Sequence, residues 1–429
     1  MSFNMSDKQS SKNNSVIIIG ALFFIFGFVT WLNGTLIPYL QIACELTNKE
    51  AYFITFAFYI AYFVMAIPSS YILQKTGFKN GMMAGLIVMA VGALIFIPAA
   101  ITRTYSVFLI GLFVIATGLT LLQTAANPYV TIVGPIESAA KRISIMGICN
   151  KVAGILSPVI LAPIVLNKAD ELKKTLAGMT ATERIPVLDD LSSKVIVPYI
   201  VITIVLLSLA LWIRFSGLPE IDAVENAESD FNKIADTSNQ KTSIFQFPYL
   251  ILGGLAIFFC VAVEVIAADT MANYGNFQGI KLDDAKYFPA YTLTAMVIGY
   301  LIGIATIPKY LSQRTALKLT AIIGILFTMA ALFSSGYVSV LFIALLGLAN
   351  SLMWPAIWPL ALNKLGKFTK TGSSLLIMGI AGGAVMPVIY GSVADISNLQ
   401  MAYWVLVPCY IYILYYALSG YKMGLNTQQ

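Results

Sequence analysis

Twelve long apolar runs, separated by short polar breaks, leave this chain few folds to choose from. Each run approaches or exceeds the roughly 20 residues that an α-helix needs to cross the hydrocarbon of a bilayer. Peptide groups find no water in that layer, so only helices or closed barrels satisfy them there. Runs of this length without strict alternation predict helices. The chain is 59% hydrophobic and 11% charged, against about a quarter charged in soluble proteins. An all-α integral membrane protein is expected.

The predicted spans are Val16–Tyr39, Ala51–Leu73, Asn80–Ile101, Ser106–Val133, Ile143–Leu166, Val195–Phe215, Phe247–Asn273, Phe288–Lys309, Ala316–Ser335, Val338–Leu362, Gly372–Ala394 and Met401–Ser419. Met1–Asn14 is polar and the first run is a full span followed by others, so it reads as a retained helix rather than a cleaved leader. Gly217–Ser243 is polar and acid-rich, which predicts a linker over 216–246 between halves 1–215 and 247–429. The halves echo each other. Ile145-Met-Gly-Ile148 in the fifth span recurs as Ile377-Met-Gly-Ile380 in the eleventh, and Ala66-Ile-Pro is answered by Thr306-Ile-Pro. Odd spans match odd and even match even, which gives two six-helix halves related as a parallel repeat.

Loop charge sets the orientation. With the N-terminus inside, the inner segments hold 16 Lys and Arg and the outer segments 9. Five of the outer ones fall in the fifth-to-sixth loop, mixed with Asp170, Glu171, Glu183, Asp189 and Asp190. Both termini are therefore expected in the cytoplasm. The net charge of +6 is not read as a nucleic-acid signal. Cys44, Cys149, Cys260 and Cys409 lack metal-ligand spacing and read as buried hydrophobes. Without any histidine, serine and cysteine triads and the common zinc sites are excluded. No enzyme and no cofactor are expected.

Polar groups inside the spans are the candidates for function, because a charge at mid-bilayer costs about 2.5–3.5 kcal/mol on insertion scales. Gln123 and Asn127 share a face of the fourth span, and Asn150 and Lys151 lie in the fifth. Glu264 lies past the middle of the seventh, where it is read as a sugar-binding or cation-coupling carboxylate, or as an ion-pair partner of Lys151 that only joins the halves. Asp269, about 140° further round and read as nearer water, is a second coupling candidate. Asn350, Trp354 and Trp358 follow at four-residue spacing in the tenth span, with Pro355 and Pro359 distorting it. An aromatic plane beside amides suits a sugar, whose C–H face packs on a ring while its hydroxyls bond to amides. Trp358 is read as packing. In the first span, Thr30, Asn33 and Gly34 make a polar, small-residue break.

At these residues the sequence resembles the fucose/glucose–galactose branch of the major facilitator superfamily, and bacterial glucose/galactose transporters within it. The likeness rests on Trp31-Leu-Asn-Gly-Thr-Leu-Ile-Pro38, Gln123-Thr-Ala-Ala-Asn-Pro128, Gly134-Pro135, Lys141–Pro158 and Gly372-Ser-Ser with Gly382-Gly383 and Pro387. It implies a monomeric rocker-switch symporter in a bacterial inner membrane that takes up a monosaccharide between its halves. It also implies a cavity lined by Asn33, Gln123, Asn150 and Trp354. Fucose-type members carry an aspartate in the first span and a glutamate in the fourth, linked to proton coupling. The matching positions here are Gly34 and Gln123, so the coupling ion, H+ or Na+, stays open, as does uncoupled flux. Fucose or N-acetylglucosamine is the alternative cargo. A sugar sensor on the same scaffold is a further reading, and the density of amides argues against drug efflux. The loop Leu73-Gln-Lys-Thr-Gly-Phe-Lys79 resembles a reduced form of the superfamily's basic loop, with Gly77 making the turn.

Overall fold

A computed structural model of the chain describes residues 5–132, 139–216, 243–307, 309–363, 365 and 368–424. Side chains are described within these ranges except at 5–16, 74, 127–132, 139–144, 369 and 370. Most of the expected linker (217–242) lies outside the described residues. Among the described residues, 12 helices are long and apolar enough to cross a membrane, running from Ile17–Ala43 to Met401–Lys422. They fall where the apolar runs predict them. The fifth-to-sixth loop adds two short helices, Ala169–Ala177 and Ala181–Ser193.

Several spans are broken near mid-length. The first is helical over Met5–Thr30 and again over Asn33–Ala43, with Trp31 and Leu32 between them. Its repeat mate, the seventh, breaks at Thr270 between Pro248–Asp269 and Met271–Phe277. The tenth breaks at Leu352, between Gly336–Ser351 and Met353–Leu362. Pro355, which has no N–H to give the preceding turn, follows that break. The eleventh passes through a tight 3₁₀ turn at Gly379–Ala381. A break frees peptide groups, which the bilayer tolerates only where protein buries them. These breaks therefore mark the interior of the bundle. The second and third spans, Asn48–Leu73 and Lys75–Thr102, are two helices that join at a kink at Gly77. Its φ of 76° lies in the left-handed region that glycine adopts without strain.

Within each half the first-type and fifth-type spans pack together: first on fifth, seventh on eleventh. Both contacts are made by bare backbone. A Cβ added at Gly27 would lie 1.8 Å from the Asn150 carbonyl oxygen, and one added at Gly382 would lie 1.8 Å from that of Phe258. Across the halves, the second span packs on the eleventh and the fifth on the eighth. Second and eighth are repeat mates, as are fifth and eleventh, so one contact is the image of the other.

Gly382→Ala is expected to force the seventh and eleventh spans apart, costing about 1–3 kcal/mol and lowering the thermal unfolding midpoint in detergent. Gly147→Ala, where the added Cβ meets nothing within 4 Å, is expected to leave that midpoint in place.

Candidate functional site between the halves

The site is built on a close approach between the first and fifth spans. A Cβ added at Gly154 would lie 2.3 Å from Trp31 Cδ1, so only a bare backbone lets the indole in. Lys151 lies one helical turn before Gly154 on the fifth span. The indole therefore sits beside it, with the Lys151 Nζ 4.4 Å from the ring centroid. The same Nζ donates to Glu264 Oε1 across the half–half interface at 2.5 Å, with the two side chains 9% and 14% exposed. The ring face and the carboxylate together hold a desolvated ammonium. The pair is the ion bridge that the sequence allows as one reading of Glu264.

Around this bridge the other candidates divide. Gln123 donates to the Tyr62 hydroxyl at 3.2 Å within the first half. Asn150, next to Lys151 in the chain, is half-buried. The Asn127 side chain lies outside the described residues. Asn350 is buried, its amide donating to the Val263 carbonyl at 3.3 Å and accepting from the Tyr410 hydroxyl at 2.8 Å. It ties the tenth span to the seventh and twelfth. Trp354 and Trp358 stack on each other, centroids 5.2 Å apart, and both are partly buried. Asn33 is fully buried, and neither of its amide atoms has a hydrogen-bond partner among the described residues.

Asp269 corrects an expectation. It is not nearer water but 2% exposed, because the first span closes over it at Gly34. A Cβ at Gly34 would lie 3.3 Å from Pro289 and 3.4 Å from Asp269 Oδ1.

Beyond Asp269 the halves are tied together at one end. The Asp395 carboxylate accepts from the backbone N–H groups of Asn48 and Lys49 at 3.1 and 2.9 Å, where the helix beginning at Asn48 presents its positive end. Asn273 donates to Gln41 at 2.7 Å, Lys173 to Asn276 at 2.9 Å, and Lys286 to the Leu166 carbonyl at 3.2 Å. The Asp283 N–H donates to Asp170 at 2.9 Å, and Tyr52 meets Tyr390 edge-on at 5.4 Å. Burial lowers the Lys173 ammonium below the usual lysine range, with Asp170 opposing. These bonds form a seal on one side of the Lys151–Glu264 bridge. Sequence reasoning missed Trp31 as a ring over Lys151, and Gln41, Asn273 and Tyr62 as partners.

Twelve spans in two like-folded halves, with buried polar groups where the halves meet, define a multi-pass membrane transporter. The chain belongs to the Major Facilitator Superfamily, whose pattern it matches over residues 19–385. It is 33% identical over 422 residues to a glucose/galactose transporter of Brucella abortus, covering 97% of each chain. It is 28% identical to an L-fucose-proton symporter of Escherichia coli, over 97% of this chain and 96% of that one. Its fold is similar to the crystal structure of the transporter FucP in the outward conformation, with a TM-score of 0.69, 27% identity, and coverage of 95% of this chain and 98% of that one.

Removing one partner of a buried ion pair strands the other, at about 3–5 kcal/mol. Glu264→Gln and Lys151→Met are each expected to destabilise the protein on that scale. The double variant is expected to be more stable than their sum predicts. Thermal or denaturant unfolding of the four proteins measures this coupling.

Proposed function

We propose that the protein takes up a hexose, glucose or galactose, by alternating access, driven by a cation gradient. The observation that carries this reading is the full-length likeness to a glucose/galactose transporter. The site chemistry supports it. Trp354 offers a ring face, Gln123 and Asn150 offer amides, and the Lys151–Glu264 bridge offers charged partners for hydroxyls. Asn33 is assigned to the same polar wall and Asn127 joins it on its place in the sequence alone, while Asn350 positions the tenth span. The likeness to an L-fucose-proton symporter supports fucose as a second cargo.

The excess of Lys and Arg in one set of loops, 16 against 9, favours both termini in the cytoplasm and the sealed end facing outward. The protein then acts as a monomer in a bacterial inner membrane, in a state closed to the outside. It changes no bond in its cargo.

Labelled glucose and galactose are expected to enter proteoliposomes and to exchange by counterflow, with excess unlabelled hexose competing. Competition by fucose alone selects the second cargo, and binding without either flux identifies a sensor. Trp354→Ala is expected to weaken apparent sugar affinity roughly tenfold, the loss of about 1.4 kcal/mol of ring contact, read as a rise in KM for uptake.

A further inference from the structure

Asp269 is a buried acid without a hydrogen-bond partner among the described residues. It ends the long helix of the seventh span, is 2% exposed, and neither carboxylate oxygen is bonded among the described residues. Across the interface it faces the backbone at Gly34, which the ring of Pro289 in the eighth span also approaches. The charged and titratable groups around it are already engaged or are not cationic. Lys151 of the fifth span is held by Glu264. Lys286, at the start of the eighth span, is held by Leu166 and Asp283. The second span contributes the phenols Tyr52 and Tyr59, both within electrostatic range of Asp269. From the eleventh span, Asp395 reaches the same Tyr52 and is bound to the backbone of Asn48 and Lys49. Thr292 of the eighth span donates to the Ala267 carbonyl at 3.1 Å.

A bare carboxylate in such surroundings is strongly disfavoured and becomes neutral or binds a cation. A proton neutralises it with no further ligands. A sodium ion needs a cage of oxygens, and among the described residues no cluster of other acidic side chains completes one at Asp269. The cross-half bond from Asn273 to Gln41 lies one helical turn beyond Asp269, so parting the seal wets the carboxyl and closing the seal dries it.

We propose that Asp269, rather than the ion-paired Glu264, carries the coupling proton of transport. This rests on the hexose-uptake reading above. With the seal open, an Asp269 carboxylate oxygen takes a proton from outer water and forms an O–H bond. The seal closes over the neutral acid, and the proton returns to water of the cavity once the inner side has opened. No electron is transferred. Glu264 keeps Lys151 in place through their ion pair.

The test uses the full-length protein in proteoliposomes with proton and sodium gradients imposed separately. Wild type is expected to accumulate hexose on the proton gradient alone. Asp269→Asn is expected to fall to an accumulation ratio of about one, since no ion then contributes coupling free energy, while counterflow persists. Asp269→Glu is expected to restore proton-driven accumulation. Accumulation by Asp269→Asn on the proton gradient overturns the proposal, as does wild-type accumulation on sodium alone or on neither gradient. A second arm needs no sugar. Dicyclohexylcarbodiimide modifies protonated carboxyls in apolar surroundings, and mass spectrometry of wild type is expected to find it on Asp269. An unmodified Asp269 overturns the assignment, whether or not Glu264 reacts. If no hexose exchanges in wild type, the uptake reading fails by itself, and the carbodiimide arm still decides whether Asp269 holds a proton.

Discussion

The Lys151–Glu264 bridge is the interaction on which the interface depends. Two charges that the bilayer disfavours are admitted because each half supplies one, and because Trp31 covers the ammonium with its ring face. Such a pair contributes little net stability compared with a well-packed apolar pair, and its loss on one side is severe. Its value here is register. It fixes how the fifth span faces the seventh, at the depth where the first span is broken at Trp31.

The seal is built from different parts. Its bonds use backbone N–H groups, amides and a helix end rather than a second buried ion pair. Bonds of this kind lie at the edge of the bundle, where water replaces each of them when they part. The interface thus combines one deep charged contact with a rim of exchangeable ones. A transporter needs that difference, since the rim must open and close repeatedly without unfolding the middle.

Much of the fold was legible in the sequence. Hydrocarbon thickness sets the length of each span, and loop charge and the echoed tetrapeptides indicated two parallel halves. Gly77 was recognisable as a turn because its neighbours are polar and the spans on either side are long. The site was less legible. Glu264 and Lys151 stood out as charges in apolar runs, but their pairing depends on how two distant helices face each other. Asp269 was misjudged because helical geometry extended from Glu264 gives an angle round the helix and takes no account of the first span closing over it at Gly34. Asn350 looked like a sugar contact by spacing from Trp354, and only the positions of Val263 and Tyr410 reveal that its amide is occupied.

Gly27 and Gly382 have a mechanical consequence. Backbone meets backbone at both, once in each half, with no side chain between to rotate or repack. Helix pairs joined in this way have no soft layer along which to slide, so each half behaves as a rigid body about its own seam. Displacement between the two faces of the membrane is then taken up where the halves meet, the contacts of second with eleventh and fifth with eighth among them, and the carrier works as a lever with two stiff arms and one compliant joint.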